Sequence, residues 1–357
     1  MDHRFDPHLP LDKARSLPSE WYVNQKAFEA ELAHVFRKEW IWVGRAEELS
    51  KHGTWMTAQV GKESVVVTRD FEGNLHAFSN VCRHRAAKVC RAPRGEGSRL
   101  RCQYHGWTYD LEGRLKTNPE FEGVNNFTKE ENPLPRFYVK EFGPWLFVSL
   151  SEKPSSFEEQ WEPFQKESAS FQIEKMKFVK RVEYPLQCNW KVFIDNYLDG
   201  GYHINTLHPA LAGVIPYSDY RSELFSRSSL QTAPLKPKTG DGVSQVRKGT
   251  AQYWWLYPNL MINLYEGVMD VNVVIPEAVD RCRVIFDFYF EDVSQENSSF
   301  IDESLKVAHQ VQLEDQEICQ EVQKGLESAY YQSGPFSLLR EQTAYHFHQL
   351  ISKRMTL

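Results

Sequence analysis

The chain reads as a two-domain α+β protein: a small all-β N-terminal domain, then a domain with an antiparallel sheet and a long C-terminal helix. Three observations predict this. Its 357 residues exceed the size of one ordinary domain, and that length favours two cores. From Trp40 to about Leu150, short β-rich runs alternate with glycine turns. Beyond a polar, proline-bearing stretch, longer strand-like runs precede a helical pattern near the C-terminus, as expected of an α+β domain.

Residues Asn24 to Trp40 place Phe28, Leu32, Val35, Phe36 and Trp40 at helical spacing, which predicts an amphipathic helix. Residues 1–39 are therefore assigned to a helical segment that packs on the C-terminal domain. The runs IWVG, TWMTAQV, SVVVTRD, LHAFSN, RLRCQYHGWTYD and GPWLFVSL, with turns at FEGNL and LEGRL, make residues 40–152 the all-β domain. The boundary falls in the polar stretch from Ser151 to Glu158. The domain at 153–357 follows, with strands in FVKRVEYPL, AQYWWLYPNLMINLYE, VNVVIPE and CRVIFDFYFE. Its helices are expected from Trp190 to His203 and from Ile301 to Glu327.

A hydrophobic share of 41% and a charged share of 25% suit a globular chain rather than a disordered one. The net charge of −6 offers no basic footprint, so nucleic acid is not expected as a partner. No run approaches the ~20 apolar residues that span a bilayer, and the N-terminus has no apolar stretch resembling a signal peptide. A cytoplasmic location is expected, or the plastid stroma for a mature chain without its transit peptide. GxGxxG and P-loop motifs are both missing, so electrons for any redox chemistry should come from a separate protein.

Two constellations carry chemistry. The first is Cys82-Arg83-His84 and, after 17 residues, Cys102-Gln103-Tyr104-His105. Two thiolates and two imidazoles are the ligand set of a Rieske two-iron, two-sulfur cluster. A Cys2His2 zinc site is the rival, but zinc sites usually pair Cys with Cys and His with His, whereas each loop here is mixed. Cys90, Cys188 and Cys282 read as buried core residues.

In the second, Asn196, Asp199 and His203 fall at i, i+3 and i+7, on one face of a helix. His208 lies five residues further, about 140° around an ideal helix, so it joins His203 only if the helix bends or ends between them. Gly200 and Gly201 would each cost about 1 kcal/mol inside that helix, which suggests a bulge or a ligand needing room. Two histidines need a carboxylate to complete a facial iron site with open positions. Asp315 sits in register between Val311 and Ile318 on a stripe of Ala308, Val311, Ile318, Val322 and Gly325 or Leu326, and a buried acid calls for a cation or a metal. A salt bridge to Lys or Arg is the alternative, and Glu314 the reserve ligand. Tyr253, Trp254, Trp255, Tyr257 and Tyr265 gather rings that could cage a quaternary ammonium group, although strand alternation leaves open which of them face the site.

Together with these ligand sets, several stretches resemble the α subunits of Rieske non-haem iron oxygenases over nearly the whole chain. They are NVCRHR, CQYHGWTYDLEGRL, GPWLFV, NWKVFIDNYLDGGYHI, WWLYPNLMINLYE and VQLEDQEICQEVQKGLES. Within that family the likeness is to the choline monooxygenase group. The resemblance implies a Rieske β domain joined to a helix-grip (START-like) catalytic domain, and a homotrimer. It implies a 2Fe–2S cluster on Cys82, His84, Cys102 and His105, and mononuclear Fe(II) on His203, His208 and Asp315, with Asn196 nearby. A reductase or ferredoxin would supply electrons, and dioxygen would hydroxylate a small molecule, choline giving betaine aldehyde hydrate. The alternatives are another methylammonium compound (glycine betaine, carnitine, stachydrine) or an aromatic ring; from another class, a non-catalytic iron–sulfur or zinc protein. Many family members bridge cluster and iron with an acid three residues before the first iron histidine. Gly200 stands there, so Asp199 is the candidate for that role.

Overall fold

The structure, a computed structural model, describes residues 5–236 and 242–355. Its chain contacts divide it into two compact units, Phe36–Ser155 in one, and the residues up to Val35 with those from Ser156 onward in the other.

In the Phe36–Ser155 unit, ten strands follow one another: Ile41–Arg45 (β1), Thr54–Val60 (β2), Glu63–Arg69 (β3), Leu75–Ser79 (β4), Arg94–Glu96 (β5), Leu100–Arg101 (β6), Thr108–Tyr109 (β7), Leu115–Thr117 (β8), Arg136–Phe142 (β9) and Trp145–Ser149 (β10). They form an antiparallel sheet in the order β1-β10-β9-β4-β3-β2-β5 and a small sheet β6-β7-β8. The β-branched run Val65, Val66 and Val67 is fully buried at its centre, as such residues favour a pleated, packed surface. The run RLRCQYHGWTYD divides into β6 and β7. Between them the chain turns back, the Cys102 N–H donating to the Trp107 carbonyl at 2.9 Å, and Gly106 takes φ +74°, which no strand accommodates.

The larger unit is built on Lys177–Leu186 (β11), Arg221–Leu224 (β12), Ser228–Pro234 (β13), Thr250–Leu256 (β14), Leu260–Tyr265 (β15), Val268–Ala278 (β16) and Arg281–Phe290 (β17). These pair antiparallel in the order β11-β17-β16-β15-β14-β13-β12. Its helices are Glu20–Val23 (α1), Gln25–Glu31 (α2), Phe157–Glu167 (α3), Trp190–Tyr197 (α4), Ile204–Leu207 (α5), Pro209–Ala212 (α6), Gly242–Val246 (α7), Ser298–Leu326 (α8) and Gln342–Met355 (α9). The long α8 packs on α4, α7 and β11.

Asn24 caps α2 by accepting from the Lys26 N–H at 2.8 Å, and a π-helical turn at Leu32–Phe36 ends the helix before Trp40. Glu31 ties this segment to α4. It accepts from Lys191 Nζ at 2.6 Å and Trp190 Nε1 at 2.7 Å, with both charged side chains fully buried. Burial pushes the Glu31 carboxyl up and the Lys191 ammonium down, although their mutual attraction opposes both shifts. Removing either partner would strand a buried charge, at a cost of about 3–5 kcal/mol.

Two sequence expectations need correction. The helix expected to reach His203 ends at Tyr197. Gly200 and Gly201 lie beyond it with φ +68° and +72°, left-handed values that end a helix and that glycine adopts freely. On α8, Val322 is 44% exposed. Leu326 of that stripe is buried, and with it Ile301, Ser304, Gln312, Cys319 and Gln323; Asp315 lies between Gln312 and Cys319. Cys188, Cys282 and Cys319 are buried together, Cys188 Sγ standing 3.9 Å from Cys282 Sγ.

Candidate metal centres

In the β unit, Cys82 and Cys102 begin two loops with the same hydrogen-bond pattern. The Ala86 N–H donates to the Cys82 carbonyl and the Cys82 N–H to the Ala87 carbonyl; Gly106 and Trp107 repeat this around Cys102. The fifth residue of each loop is left-handed, φ 56° at Ala86 and 74° at Gly106. Both thiols are buried in one apolar cluster with Tyr109 and Trp107. The histidine two residues after Cys82 meets the one three residues after Cys102, their ring centroids 4.6 Å apart.

Burial, together with Cys102 beside it, raises the Cys82 thiol, while the Tyr109 hydroxyl at 3.5 Å and a backbone hydrogen bond at His84 work the other way. Burial also lowers the His84 imidazole, helped by His105 and Arg85. His84 stacks flat on Trp107 at 5.0 Å, and its Nδ1 is buried without a hydrogen-bond partner. Two adjacent thiols and an orphaned neutral imidazole nitrogen are what a thiolate- and imidazole-bound cluster requires. The residues fit the group. Tyr109 and Trp107 were missed as its supports; the aromatic residues following CQYH were the available signal.

In the larger unit, His203, His208 and Asp315 present ligand atoms that all lie within 4.8 Å of one another. His203 comes from the turn after the left-handed glycines, His208 from the junction of α5 and α6, and Asp315 from the middle of α8. Asp315 Oδ1 lies 3.2 Å from His208 Nε2 and 3.9 Å from His203 Nε2. Asn196, on the last turn of α4, donates its amide to the same oxygen at 2.8 Å.

Each imidazole has its other nitrogen committed to an acid. His203 Nδ1 lies 2.5 Å from Asp199 Oδ2, which also accepts from the His203 backbone N–H. His208 Nδ1 lies 2.6 Å from Glu314 Oε2. Glu314, the reserve ligand from sequence, thus sits on the far side of His208 from Asp315. A carboxylate on one imidazole nitrogen fixes the tautomer and turns the other nitrogen toward a metal. Burial alone would lower the His208 imidazole, but Asp315 and Glu314 outweigh it and raise it. An uncompensated cluster of acids has this effect, and a divalent cation would relieve it. Two imidazoles and one carboxylate on a common face are the donor set of a non-haem ferrous site.

Asp315 also lines a cavity walled by Phe193, Tyr197, Tyr253, Tyr265 and Phe286. Of the rings expected to cage a substrate, Tyr253 and Tyr265 are in this wall, whereas Trp254, Trp255 and Tyr257 are not. Trp254 points to the other face of β14, against Phe164 and Phe225. Trp255 shares the face of Tyr253 but packs on Phe347 of α9 and on Tyr257. All three are at most 1% exposed, so they serve the core. Strand alternation separates Trp254, and α9, whose packing was not anticipated, covers Trp255.

Two family models match the chain: the Rieske [2Fe-2S] domain over residues 39–128, and the ring hydroxylating alpha subunit (catalytic domain) over 173–357. The chloroplastic choline monooxygenase of Arabidopsis thaliana is 34% identical over 99% of this chain and 86% of its own length. The carnitine monooxygenase oxygenase subunit of Escherichia coli is 28% identical over 96% of this chain and 94% of its own. Among solved structures, a quaternary ammonium Rieske monooxygenase described for carnitine oxidation and inter-subunit electron transfer matches with TM-score 0.85 and 25% identity. That match covers 99% of this chain and 100% of the other.

Proposed function

Since this chain belongs to the Rieske non-haem iron oxygenases, carrying both the Rieske domain and the ring-hydroxylating α-subunit catalytic domain, we propose that it hydroxylates a quaternary ammonium compound. Choline is the first choice, with betaine aldehyde hydrate, a precursor of glycine betaine, as product. The observation that carries this is the ring-lined cavity sharing Asp315 with the His203–His208 pair. The faces of tyrosine and phenylalanine rings attract a trimethylammonium group while excluding water.

Cys82, His84, Cys102 and His105 would hold the 2Fe–2S cluster, and His203, His208 and Asp315 the ferrous ion. When bound, the cluster passes electrons from a reductase or ferredoxin one at a time, and the iron activates dioxygen. The chain's own residues prepare the site. Asp199 and Glu314 engage the two Nδ1 atoms, which leaves the Nε2 atoms directed inward. The Asn196 amide satisfies one lone pair of Asp315 and fixes its rotamer. In balance, choline, dioxygen, two electrons and two protons give betaine aldehyde hydrate and water; one oxygen atom enters a C–H bond of the alcohol carbon.

We further read the assembly as a homotrimer in which the cluster of one subunit serves the iron of its neighbour, with Asp199 as the connecting acid. Light scattering and mixed trimers of cluster-null and iron-null subunits test this. A cytoplasmic or stromal location accompanies the reading, and cell fractionation tests it. A second reading, a carboxylated methylammonium compound such as glycine betaine, carnitine or stachydrine, is favoured by Arg247, a buried guanidinium in the cavity wall. Oxygen uptake with a surrogate reductase, measured with choline, these acids and simple aromatics, separates the readings. Turnover of an aromatic compound with none of the ammonium compounds would overturn the substrate class.

A further inference from the structure

One sheet face beneath the cavity carries a charge that the iron site does not use. Tyr253 on β14 lies opposite Asn263 on β15, and Asn263 lies opposite Asp270 on β16. Tyr265 and Asn272, two residues along their strands, share that face. All five line the cavity that Asp315 also lines.

Asp270 is 3% exposed. The Asn263 amide donates a hydrogen bond to its Oδ2 at 2.8 Å. That amide is held in orientation because its carbonyl oxygen accepts from the Tyr197 hydroxyl at 2.8 Å. Among the described residues, no lysine, arginine or histidine forms an ion pair with Asp270. Arg247, the nearest candidate, is engaged elsewhere: its guanidinium donates to the Ser304 hydroxyl and to the Val246 carbonyl, and lies 4.7 Å over the Tyr265 ring. Asn272 Oδ1, buried on the same face, has no hydrogen-bond partner.

A carboxylate removed from water without a cation costs several kcal/mol. Arg247 acts on the carboxylate through its charge from the same cavity wall without forming an ion pair with it, and an acceptor oxygen, the Tyr253 ring and the acid itself suit a positive ligand. Resting on the reading of this cavity as the substrate site, we propose that Asp270 is the counter-charge for the substrate's cationic head, so that the cavity selects small organic cations over neutral molecules of the same shape. Burial raises the Asp270 carboxyl to about 6, although Arg247, Asn263 and Asn272 pull it down.

The test is anaerobic calorimetric binding to the iron-loaded enzyme with two matched pairs. Choline is paired with 3,3-dimethylbutan-1-ol, and protonated dimethylethanolamine with 3-methylbutan-1-ol. Wild-type enzyme should prefer the cation. Asp270→Asn retains the acceptor for Asn263 and should weaken cation binding by about tenfold or more, equivalent to roughly 1.4 kcal/mol. The neutral partner should stay within about twofold, which also controls for folding, and Asp270→Glu should restore part of the preference. Asp270→Asn enzyme that keeps the full cation preference overturns the inference while leaving the quaternary ammonium reading intact. An Asp270-dependent preference confined to dimethylethanolamine upholds the inference and removes the quaternary reading. No preference in either wild-type pair overturns both.

Discussion

Replacing Glu314 separates a residue that orients an iron ligand from one that is itself a ligand. Glu314 Oε2 stands 2.6 Å from His208 Nδ1, and its other oxygen accepts from Gln310 at 2.9 Å. His208 is 2% exposed, so its Nδ1–H has no water to turn to. Glu314→Ala leaves that donor unsatisfied, which costs about 1–3 kcal/mol, and frees the ring to rotate. Loss of such an orienting partner typically lowers metal affinity by roughly 10–100-fold, or about 1.4–2.8 kcal/mol. Glu314→Ala should fall near the upper end, and Glu314→Gln, which keeps a neutral acceptor, near the lower. The assay is anaerobic competition for ferrous iron against a chromogenic chelator, with the visible spectrum of the cluster as internal control. Wild-type affinity in Glu314→Ala would refute the orienting role. A loss as large as that of His208→Ala would make Glu314 a ligand.

Three further outcomes are expected. His203→Ala, His208→Ala and Asp315→Ala should each remove the mononuclear iron and leave the Rieske spectrum intact, since the ligand sets are separate; metal analysis with electron paramagnetic resonance checks this, and full iron in Asp315→Ala would move the third ligand elsewhere. Gly200→Ala should lower the melting temperature and the iron content together: a Cβ there would lie 2.1 Å from the Arg340 carbonyl oxygen, and the left-handed backbone adds about 1–2 kcal/mol. In the β unit, burial pushes Asp70 up, but hydrogen bonds from His76, Asn74 and Glu72 outweigh it and hold the carboxyl at about 2, below its ordinary 3.8. That stabilisation, roughly 2 kcal/mol, is complete above the unfolded value and lost as pH falls through about 2, so Asp70→Asn should flatten the acid arm of unfolding followed by cluster absorbance.

How much was legible follows from how each centre is assembled. The proposed cluster ligands lie within one short segment, so their spacing alone points to the chemistry. The proposed iron ligands come from a turn, a helix junction and a distant helix. The sequence proposes which residues these are, but not the break after Tyr197, because hydrophobic periodicity does not reveal a backbone that turns left-handed. Asp315 is expected on the stripe of Val311 and Ile318, which shares Leu326 with the buried side; it stands between Gln312 and Cys319, with its carboxylate beside His203 and His208. Asp270 was passed over because the strand run was begun at Val271. The alternation of Asp270 and Asn272 with Val271 and Val273 was the available signal, a polar face on a strand otherwise suited to the core. Rings gathered in sequence were read as a cage, yet a strand sends neighbours to opposite faces and a covering helix decides the rest.

The turn between α4 and α5 also gives a physical reason for the one departure from the family pattern. An acid three residues before the first iron histidine would occupy position 200, where the Arg340 backbone carbonyl lies where a Cβ would be. Arg340 is itself held in place, its guanidinium donating to the Tyr217 carbonyl at 2.8 Å and lying 3.6 Å over the Tyr217 ring. The carbonyl therefore has little freedom to withdraw, and φ of +68° at Gly200 disfavours any side chain independently. Only glycine is compatible with both constraints. The acid proposed for that role stands one residue earlier, at Asp199. There one carboxylate oxygen accepts from the Tyr202 N–H, and the other takes both the His203 N–H and its Nδ1. The glycine and the displaced acid are thus one structural solution: close packing against Arg340 forbids a side chain at 200, and the tight turn it imposes brings Asp199 back onto the histidine.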